Sequence, residues 1–480
     1  MTQDSARPKA KKATPAPKRP APGQPDLILT AEAVVTMDVD LSVHAPGAIA
    51  IRGDTILAVG PEAEILAAHP GAPVKAMGRK VLMPGLINAH AHSGFLRGTA
   101  EHLPVWDWLT QHINPMHRML RPEEAEAASY LCYAESLLSG TTTLVDMWRY
   151  MQGSARAAEV LGNRLVAVPY VGEHPDYDYF DTLDMNEALI EAWNGKADGR
   201  VSVWVGLEHL FYADEAGQQR AIELSKKHKV PFHTHCSEAE IELQEYLDRY
   251  GKKPMEVFED LGFFETPLTM FAHAVWLDPS EVELIAKYNV SVAHNPVSNM
   301  KLASGIAPVA EFLAAGIPVG LGTDGEKENN NFDMVEEMKT ASLLGKLRHR
   351  DAAAMDSWDC LRMATSLGAK AIGQDDRIGS LEPGKRADII AIRADTPRMT
   401  PFFADGPWFN LQHNLVHAIR GSDVSMTMVN GAILVEDGQL KTGDMAEIIA
   451  RIHRLAPGHF TRRADWLSAN GGGTKQWTDS

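Results

Sequence analysis

Eight short runs rich in β-branched residues recur between residues 86 and 324, and segments with helical periodicity separate them. The runs are LINAHAH (86–92), TTLVDM (142–147), RLVAVPYV (164–171), VSVWVGL (201–207), VPFHTH (230–235), TMFAHA (269–274), VSVAHN (290–295) and IPVGLGTD (317–324). Strands that alternate with helices indicate a parallel α/β fold, and eight such units form a (β/α)8 TIM barrel. A sandwich and a doubly wound sheet are the alternative interpretations.

The ends of these runs carry histidine or aspartate more regularly than a random placement of 19 histidines would. In a (β/α)8 barrel the residues that carry the chemistry lie at the C-terminal ends of the strands. The pattern therefore supports the barrel and predicts a functional site at that end. The residues concerned are His90, His92, His235, His273, His294 and Asp324.

The segments on either side of the barrel have the alternating pattern of short strands separated by turns. DLILTAEAVVTMD, GAIAIRGDTILAVG and RKVLMPG precede the barrel, and KRADIIAIRAD, LVHAIR and VSMTMVNGAILVEDGQL follow it. We expect the two segments to form one small composite β-sandwich domain. The predicted divisions are a disordered tail (1–25), the first part of the β domain (26–83), the metal-dependent barrel (84–380), the second part of the β domain (381–445), and a C-terminal helix and tail (446–480).

The net charge of −17 is unevenly distributed, because residues 1–25 hold six basic residues and one acidic residue. The remaining chain is therefore strongly acidic, which disfavours nucleic acid and anionic membranes as partners. No apolar run approaches the roughly 20 residues of a membrane-spanning helix, and the N-terminal segment lacks the apolar core of a secretory signal. Three scattered cysteines do not suggest a disulfide framework, so we expect a soluble protein in the reducing cytoplasm.

His90 and His92 are separated by one residue at the end of the first run. Side chains at positions i and i+2 of a strand point to the same face, so both rings can reach one metal ion. Two histidines in this arrangement, without further ligands, are more often structural than metal-binding. The additional histidines and the aspartate at other strand ends favour the metal interpretation here.

The segment HTHCSE adds a histidine and a carboxylate. His235 ends the fifth run, and Glu238 follows three residues later as either a catalytic carboxyl or a carboxylate favoured by a helix N-terminus. His233 lies deeper on the same face and is interpreted as structural. Cys236 points away from that face, which argues against a thiolate ligand.

Asp324 ends a buried type of strand, where a carboxylate needs a partner. Together with His90, His92 and His235 it forms a ligand set suited to one Zn²⁺, with Fe²⁺ as the alternative. Such an ion lowers the pKa of bound water to about 7, so that a metal-bound hydroxide exists at neutral pH.

Seven motifs together resemble the amidohydrolase superfamily. They are PGLINAHAH, GTTTLVDM, HTHCSE, FAHAVWL, VAHNPVSNMKLASGIAPV, GLGTDG and GSLEPGKRADIIAI. More narrowly, they are similar to the branch that contains 5-methylthioadenosine/S-adenosylhomocysteine deaminases and s-triazine hydrolases such as atrazine chlorohydrolase and melamine deaminase. The resemblance covers about residues 26–445.

This resemblance implies roles for individual residues. The four ligands named above match the metal ligands of the family, and Glu238 matches the glutamate that passes a proton to the substrate ring nitrogen. His273 matches the histidine that orients the attacking water, and Asp324 also matches the acceptor of its proton. The stretch GLEHLFY lacks the lysine that bridges two metals in other members, which implies a single metal. The resemblance further implies a homodimer or homotetramer.

Three departures bear on the substrate. The nucleoside deaminases carry a substrate-binding histidine in GPHxPY, and here Glu208 occupies that place unless the register slips by one. Their ribose-binding Glu-Glu-Trp-Leu reads WDWL here, so Trp106 replaces the first carboxylate. Asn299, in the fifth motif, completes the expected substrate-binding residues. The charged stretch 326–328 stands where the family has small residues, and its simplest interpretation is a solvated loop.

The expected function is therefore hydrolytic displacement of an amino group from a small aromatic N-heterocycle by a metal-bound hydroxide. A nucleoside deaminase of the methylthioadenosine type and an s-triazine chlorohydrolase are the alternatives. A binding or scaffold protein on the same fold would be expected to lack a ligand or the glutamate, and none of these is missing.

Overall fold

The computed structural model describes residues 24–470, so nearly all of the tail predicted over residues 1–25 lies outside the described residues. The strands are β1 (Leu27–Ala31), β2 (Ala33–Val35), β3 (Val43–His44), β4 (Gly47–Arg52), β5 (Thr55–Pro61), β6 (Val74–Ala76), β7 (Lys80–Pro84), β8 (Leu86–His92), β9 (Thr141–Trp148), β10 (Arg164–Pro169), β11 (Val201–Val203), β12 (Val205–His209), β13 (Phe232–Cys236), β14 (Thr269–His273), β15 (Val290–His294), β16 (Val319–Leu321), β17 (Asp324–Gly325), β18 (Ile389–Arg393), β19 (Val424–Val429), β20 (Ala432–Glu436) and β21 (Gln439–Leu440).

The α-helices are α1 (Glu62–Ala68), α2 (Val105–Trp108), α3 (Asn114–Met119), α4 (Pro122–Leu138), α5 (Gln152–Leu161), α6 (Leu183–Trp193), α7 (Lys196–Gly199), α8 (Glu215–His228), α9 (Glu240–Tyr250), α10 (Pro254–Leu261), α11 (Pro279–Ile285), α12 (Pro296–Lys301), α13 (Val309–Ala314), α14 (Met334–His349), α15 (Ser357–Met363), α16 (Ser366–Ala371), α17 (Leu411–His417) and α18 (Met445–Ala469). None of the helices in the described range is long and apolar enough to cross a membrane.

The strands β8 to β17 form the predicted parallel barrel. They lie in two five-stranded sheets, ordered β11-β10-β9-β8-β17 and β12-β13-β14-β15-β16. The fourth barrel strand is divided into β11 and β12, which only Trp204 separates, and the eighth is divided into β16 and β17. The second part of the eighth strand pairs with the first strand, where Asp324 lies opposite Ala91. The α/β barrel fold expected from the eight runs is therefore confirmed.

The N- and C-terminal segments share one β structure, as predicted. A seven-stranded sheet has the order β21-β20-β19-β18-β7-β2-β3, so β7 from the N-terminal segment pairs directly with β18 from the C-terminal segment. A second, four-stranded sheet has the order β5-β4-β1-β6. Apolar side chains of both sheets, including Leu29, Ile49, Leu82 and Ile389, form one buried cluster between them.

A buried ion pair joins this β structure to the barrel. Arg164, at the start of β10, donates from Nη2 to Oδ1 of Asp388 at 2.9 Å. Both side chains are almost fully buried. Removing either partner would leave an uncompensated buried charge, so we expect the pair to stabilise the contact between the barrel and the β structure.

The long C-terminal helix α18 packs across the segment that follows the first barrel strand. His459 of α18 is buried and contacts Glu124 of α4, with Nδ1 and Oε2 3.1 Å apart. Arg462 of the same helix donates to both oxygens of this carboxylate. The helix thereby covers the region that carries α2 and α3 above the barrel.

Candidate active site

Four side chains predicted as metal ligands converge at the C-terminal end of the barrel. Nε2 of His92 lies 3.1 Å from Nε2 of His235 and 3.2 Å from Oδ1 of Asp324. Nε2 of His90 lies 3.5 Å from the same oxygen. All four residues are buried, and they lie at or near the C-terminal ends of the first, fifth and eighth barrel strands.

The other ring nitrogen of each histidine is held by the protein. Nδ1 of His92 donates to the carbonyl of Met147, and Nδ1 of His235 donates to the carbonyl of Glu208, both at 2.6 Å. Hydrogen bonds of this kind fix the tautomer and leave the Nε2 lone pair for a metal.

His233, interpreted from the sequence as structural, orients the third histidine ligand, His90. Its Nδ1 donates to the carbonyl of Met270, so its Nε2 accepts a hydrogen bond from Nδ1 of His90 at 2.8 Å. Nε2 of His90 is buried and has no hydrogen-bond partner within residues 24–470. Three oriented imidazoles and one carboxylate therefore fit a divalent cation.

Glu238 and His273 lie beside this centre. Nε2 of His273 is 3.7 Å from Oε2 of Glu238 and 3.8 Å from Oδ2 of Asp324. Ser304 donates to Oε1 of Glu238 at 2.9 Å, and Ser298 donates to Oδ2 of Asp324 at 2.6 Å. Burial raises the pKa of Glu238 to about 7, although His273 opposes this shift. The carboxyl can therefore hold a proton near neutral pH.

Two of these residues have backbone conformations that L-residues rarely adopt. The φ angle is 72° at His273 and 60° at Asp324. Such left-handed conformations are costly outside glycine and are concentrated at functional sites. His273 is the last residue of β14, and Asp324 is the first residue of β17.

Asn299 lies next to His273 rather than in an open cavity. Its Oδ1 accepts a hydrogen bond from Nδ1 of His273 at 2.8 Å. The side chain is almost fully buried. This contact gives Asn299 a way to orient His273, whereas its expected contact with substrate stays a prediction.

Glu208 already has donors inside the protein. The hydroxyl of Tyr170 donates to Oε1 at 3.1 Å, and Nδ1 of His209 donates to Oε2 at 3.0 Å. Glu208 therefore does not need a hydrogen-bond donor from the substrate. The expected contact of Glu208 with substrate stays a prediction.

His209, which the sequence analysis left out, is the neighbour that faces the centre. Its ring stacks on His235, with centroids 5.3 Å apart, and lies 5.4 Å from the ring of Trp106. Although burial opposes the charge, the carboxylates of Glu208 and Glu242 raise the pKa of His209 to about 10. One indication of His209 is present in the sequence: if the match to GPHxPY shifts by one residue, His209 rather than Glu208 takes the place of the substrate-binding histidine.

The charged stretch 326–328 is not a solvated loop, which corrects the sequence interpretation. Glu326, Lys327 and Glu328 are only 1%, 2% and 4% exposed. Oε1 of Glu326 accepts a hydrogen bond from the backbone N–H of Leu96 at 2.9 Å, and a Cβ on Gly94 would lie 2.0 Å from this oxygen. The absence of a side chain at Gly94 thus makes room for a buried carboxylate.

Lys327 lies between the two glutamates in sequence and pairs with the second. Its Nζ is 2.9 Å from Oε1 of Glu328 and about 6 Å from the ring centroids of Trp108 and Trp148. Burial raises the pKa of Glu326 to about 7, although Lys327 opposes the shift. The buried ion pair of Lys327 and Glu328 therefore lies three to four residues after Asp324 in the chain.

A pocket of about 550 Å³ opens beside Glu238. Ser304, the donor to Glu238, lines it together with Trp106, Trp276 and the first turn of α9. Its volume lies within the range of roughly 300–1,000 Å³ that is usual for small-molecule sites. Trp106 is half-buried at its wall, which places it where a substrate could contact it.

Comparisons with known proteins define the class. The amidohydrolase family matches residues 81–434, and an imidazolonepropionase-like composite domain from bacteria matches residues 47–72. A 5-methylthioadenosine/S-adenosylhomocysteine deaminase of Syntrophomonas wolfei is 39% identical over 380 residues, which is 78% of this chain and 86% of that protein. A 5'-deoxyadenosine deaminase of Methanosarcina acetivorans is 35% identical, over 90% of this chain and 98% of that protein.

Solved structures give the same fold. An adenosine deaminase from Xanthomonas campestris with bound zinc has a TM-score of 0.86 and 29% identity, covering 92% of this chain and all of that one. An atrazine chlorohydrolase from Arthrobacter aurescens in complex with zinc has a TM-score of 0.81 and 24% identity. The match covers 89% of this chain and 99% of that one. The chain is a hydrolase with a TIM barrel. It belongs to the amidohydrolase family.

Proposed function

We propose that the chain is a metal-dependent aminohydrolase that removes an amino group from an aromatic N-heterocycle. The observation that carries the proposal is the convergence of His90, His92, His235 and Asp324 beside Glu238, a carboxyl that holds a proton near neutral pH. The names of the two relatives described above, 39% and 35% identical, support the same reaction type, because both are named as deaminases.

The proposed ligands would hold one divalent ion, with zinc favoured and iron as the alternative. Three imidazole nitrogens and a carboxylate oxygen suit such an ion. When bound, it supplies a nucleophile at neutral pH by lowering the pKa of a coordinated water to about 7. The zinc in two structures of similar fold supports this choice.

The proton transfers follow from the residues themselves. Asp324 accepts the proton of the attacking water, while the hydrogen bond from Ser298 keeps one of its oxygens in place. Glu238 delivers a proton to the ring nitrogen next to the carbon under attack. His273 lies between the two carboxyls and orients the water. The proton held by Asp324 then passes to the departing amino group, and the proton of the new hydroxyl group returns to Glu238. The products are the oxo-heterocycle and ammonia, so one water is consumed for each amino group released.

The proposed substrate class depends on how the chain departs from the nucleoside deaminases, and the structure weakens one of these departures. Two departures argued against a nucleoside, and one of them, at Glu208, is weakened because its carboxylate is already paired and His209 stands beside it. Trp106 continues to favour a small planar ring, since an indole offers no paired acceptors to a sugar. We therefore propose an amino-substituted heterocycle, with adenine nucleosides as the second candidate and chloride displacement as the third.

The test is a substrate panel on purified, zinc-loaded protein. Ammonia release is measured with aminopurines, pterins, aminopyrimidines, amino-s-triazines and methylthioadenosine, and the Asp324→Ala variant is the control for contaminating activity. Release of ammonia from at least one ring, lost in the variant, is the expected result. Chloride release from a chlorotriazine without any ammonia release would replace the assignment with dechlorination.

We further propose a homodimer or homotetramer in the cytoplasm, acting on a small molecule without nucleic acid or membrane partners. Three buried free cysteines suit a reducing compartment. Sedimentation velocity at micromolar concentration tests the assembly, and a single monomeric species would contradict it. The domain divisions given above stay predictions.

A further inference from the structure

A short segment, residues 298–304, which includes the end of α12, contacts three of the groups assigned to the reaction. Its side chains hold two carboxyl groups and one imidazole, each by a hydrogen bond. The contacts are Ser298 to Asp324 at 2.6 Å, Asn299 to His273 at 2.8 Å and Ser304 to Glu238 at 2.9 Å. Because an error of about 1 Å in such groups can lower a rate by about 10²-fold, the position of this segment matters for all three.

The segment depends on the rest of the protein for its position. The helix α12 has only six residues, which is too short to be stable by itself in water. After the helix, the chain turns through Ala303 in a left-handed conformation, with a φ angle of 55°. One anchor lies at the start, where the N–H of Val297 donates to Oε2 of Glu337 at 3.3 Å. Another lies at the end, where Nε1 of Trp276 donates to the carbonyl of Ser304 at 2.7 Å.

Lys301 anchors the middle of the segment to two neighbouring loops. Its Nζ donates to Oε1 of Glu101 at 3.0 Å, to the carbonyl of Lys327 at 2.7 Å and to Oδ1 of Asn330 at 2.9 Å. These contacts use the three N–H donors of an ammonium group. Nδ2 of Asn330 also donates to Oε1 of Glu101 at 3.2 Å. Since Glu101 follows β8 and Asn330 follows β17, the cluster joins the loops of the first and eighth barrel strands to α12.

The connection is partly shielded from water. The side chains of Lys301 and Glu101 are 21% and 27% exposed. Burial opposes the charge on Glu101, but the hydrogen bonds from Lys301 and Asn330 lower its pKa below the ordinary value. The carboxylate is therefore ionised at neutral pH, and the hydrogen bond from the ammonium group is charge-assisted.

We propose that Lys301 is a positioning residue for the reaction. By joining the segment 298–304 to the two loops, it keeps Ser298, Asn299 and Ser304 aligned with the groups that they hold. Lys301 acts through these residues and not through contact with the substrate. The inference rests on the proposed deamination for its consequence, but the restraint itself can be measured without turnover.

Hydrogen exchange measures the restraint. Lys301→Met removes the three hydrogen bonds and keeps most of the apolar stem. The matched control is Lys346→Met, because Nζ of Lys346 also donates three hydrogen bonds, all to carbonyls of residues 352–355 in the loop after α14. Amide exchange within residues 298–304 of the zinc-loaded protein, followed by mass spectrometry, should become severalfold faster in Lys301→Met and stay unchanged in the control.

Steady-state kinetics measure the consequence. Lys301→Met should lower kcat by roughly 10–100-fold with little change in KM, because the reacting groups are displaced while the substrate loses no contact. The zinc content and the midpoint of thermal unfolding are recorded beside it. Lys301→Arg supplies N–H donors again and should recover part of kcat. Glu101→Ala removes one acceptor from the other loop, so it should lower kcat in the same direction and replaces Lys301→Met should that variant not fold.

A double variant separates positioning from a general loss of stability. Ser304→Ala should lower kcat in the unmodified protein, since Glu238 loses its donor. In the Lys301→Met background the same change should cost clearly less, because the contact is already displaced and the two effects are coupled. A residue that only stabilises the fold would give two independent, multiplicative effects.

The outcomes distinguish the positioning role from the proposed function. Unchanged exchange of the segment, faster exchange without a fall in kcat, or multiplicative effects in the double variant would each overturn the role of Lys301. Faster exchange confined to residues 298–304, with no ammonia from any ring in the unmodified protein, would support the restraint and count against the proposed deamination.

Discussion

Nδ1 of His273 donates a hydrogen bond to Oδ1 of Asn299 over 2.8 Å. With Nδ1 held by Asn299, Nε2 is the ring nitrogen of His273 that lies between Glu238 and Asp324. The Asn299 amide, from the helix α12, thus helps to orient the ring so that Nε2 faces the two carboxyls, and Nδ2 of Asn295 lies 3.4 Å from the same Nδ1. Asn299 then acts through His273, as a positioning residue.

Asn299→Ala is expected to lower kcat by roughly 10–100-fold, the usual effect of losing a partner that orients a functional histidine. KM should change little, because the substrate itself loses no contact. Asn299→Asp keeps the acceptor and should retain most of the activity. Steady-state kinetics on the best substrate of the panel provide the measurement. A raised KM with unchanged kcat would instead restore the direct contact with substrate expected from the sequence.

The metal site makes the second prediction. One divalent ion per chain should be found by elemental analysis, and Asp324→Ala or His235→Ala should lose both the ion and turnover while the barrel stays folded by circular dichroism. Glu187→Gln is the control, because Glu187 belongs to a separate, more exposed group with Glu191 and His228. That variant should keep the metal content. Two ions per chain, or full activity after exhaustive chelation, would contradict the assignment.

Glu238→Gln should lower kcat by about 10²–10⁴-fold, since the amide keeps the volume but cannot donate the carboxyl proton. The pH dependence has a definite sign. With the pKa of Glu238 raised to about 7 by burial, the protonated form dominates below that pH, and kcat should fall as the pH rises above it. Initial rates between pH 5 and 9 test this. A rate that stays level up to pH 9 would show that Glu238 does not act as the acid.

The barrel could be predicted because its strands are short, apolar and bounded by turns. The first run matches β8 residue for residue, and the others agree within a few residues. The interruptions of the fourth and eighth strands could not be predicted. VSVWVGL and IPVGLGTD read as continuous runs, and the break at Trp204 depends on which neighbour each half pairs with.

The candidate metal ligands could be proposed from local rules, namely the two-residue repeat of a strand and the position of reactive groups at strand ends. Contacts between segments that are distant in the sequence could not be predicted from such rules. The Glu326 carboxylate is buried because Gly94, more than two hundred residues earlier, leaves room for it. A charged sequence alone gives no sign of such a partner, and so it was interpreted as solvated.

The buried pair of Lys327 and Glu328 predicts a stability effect. Lys327→Met should lower the free energy of unfolding by roughly 3–5 kcal/mol, because it leaves buried carboxylates without their cation. Lys226→Met is the matched control: Lys226 pairs with Glu265 at the surface, and its loss should cost less than about 1 kcal/mol. Urea unfolding followed by fluorescence compares the two variants. If both variants lowered the free energy of unfolding by the same small amount, the pair of Lys327 and Glu328 would be accessible to water rather than buried.

The last prediction concerns Trp106 and the choice between a planar heterocycle and a nucleoside. Trp106 is half-buried in the pocket wall, within reach of the ring of His209. Replacing it by glutamate restores the carboxylate that a ribose hydroxyl would need. Trp106→Glu should therefore shift the ratio of kcat/KM toward methylthioadenosine, and away from an amino-s-triazine, by at least about tenfold, the worth of one hydrogen bond to a charged group. Trp408→Glu, at a tryptophan that is 74% exposed and outside the pocket, makes the same chemical change as a control and should leave the ratio unaltered. Efficient turnover of methylthioadenosine by the unmodified protein, with the triazine inert, would instead assign the chain to the nucleoside deaminases.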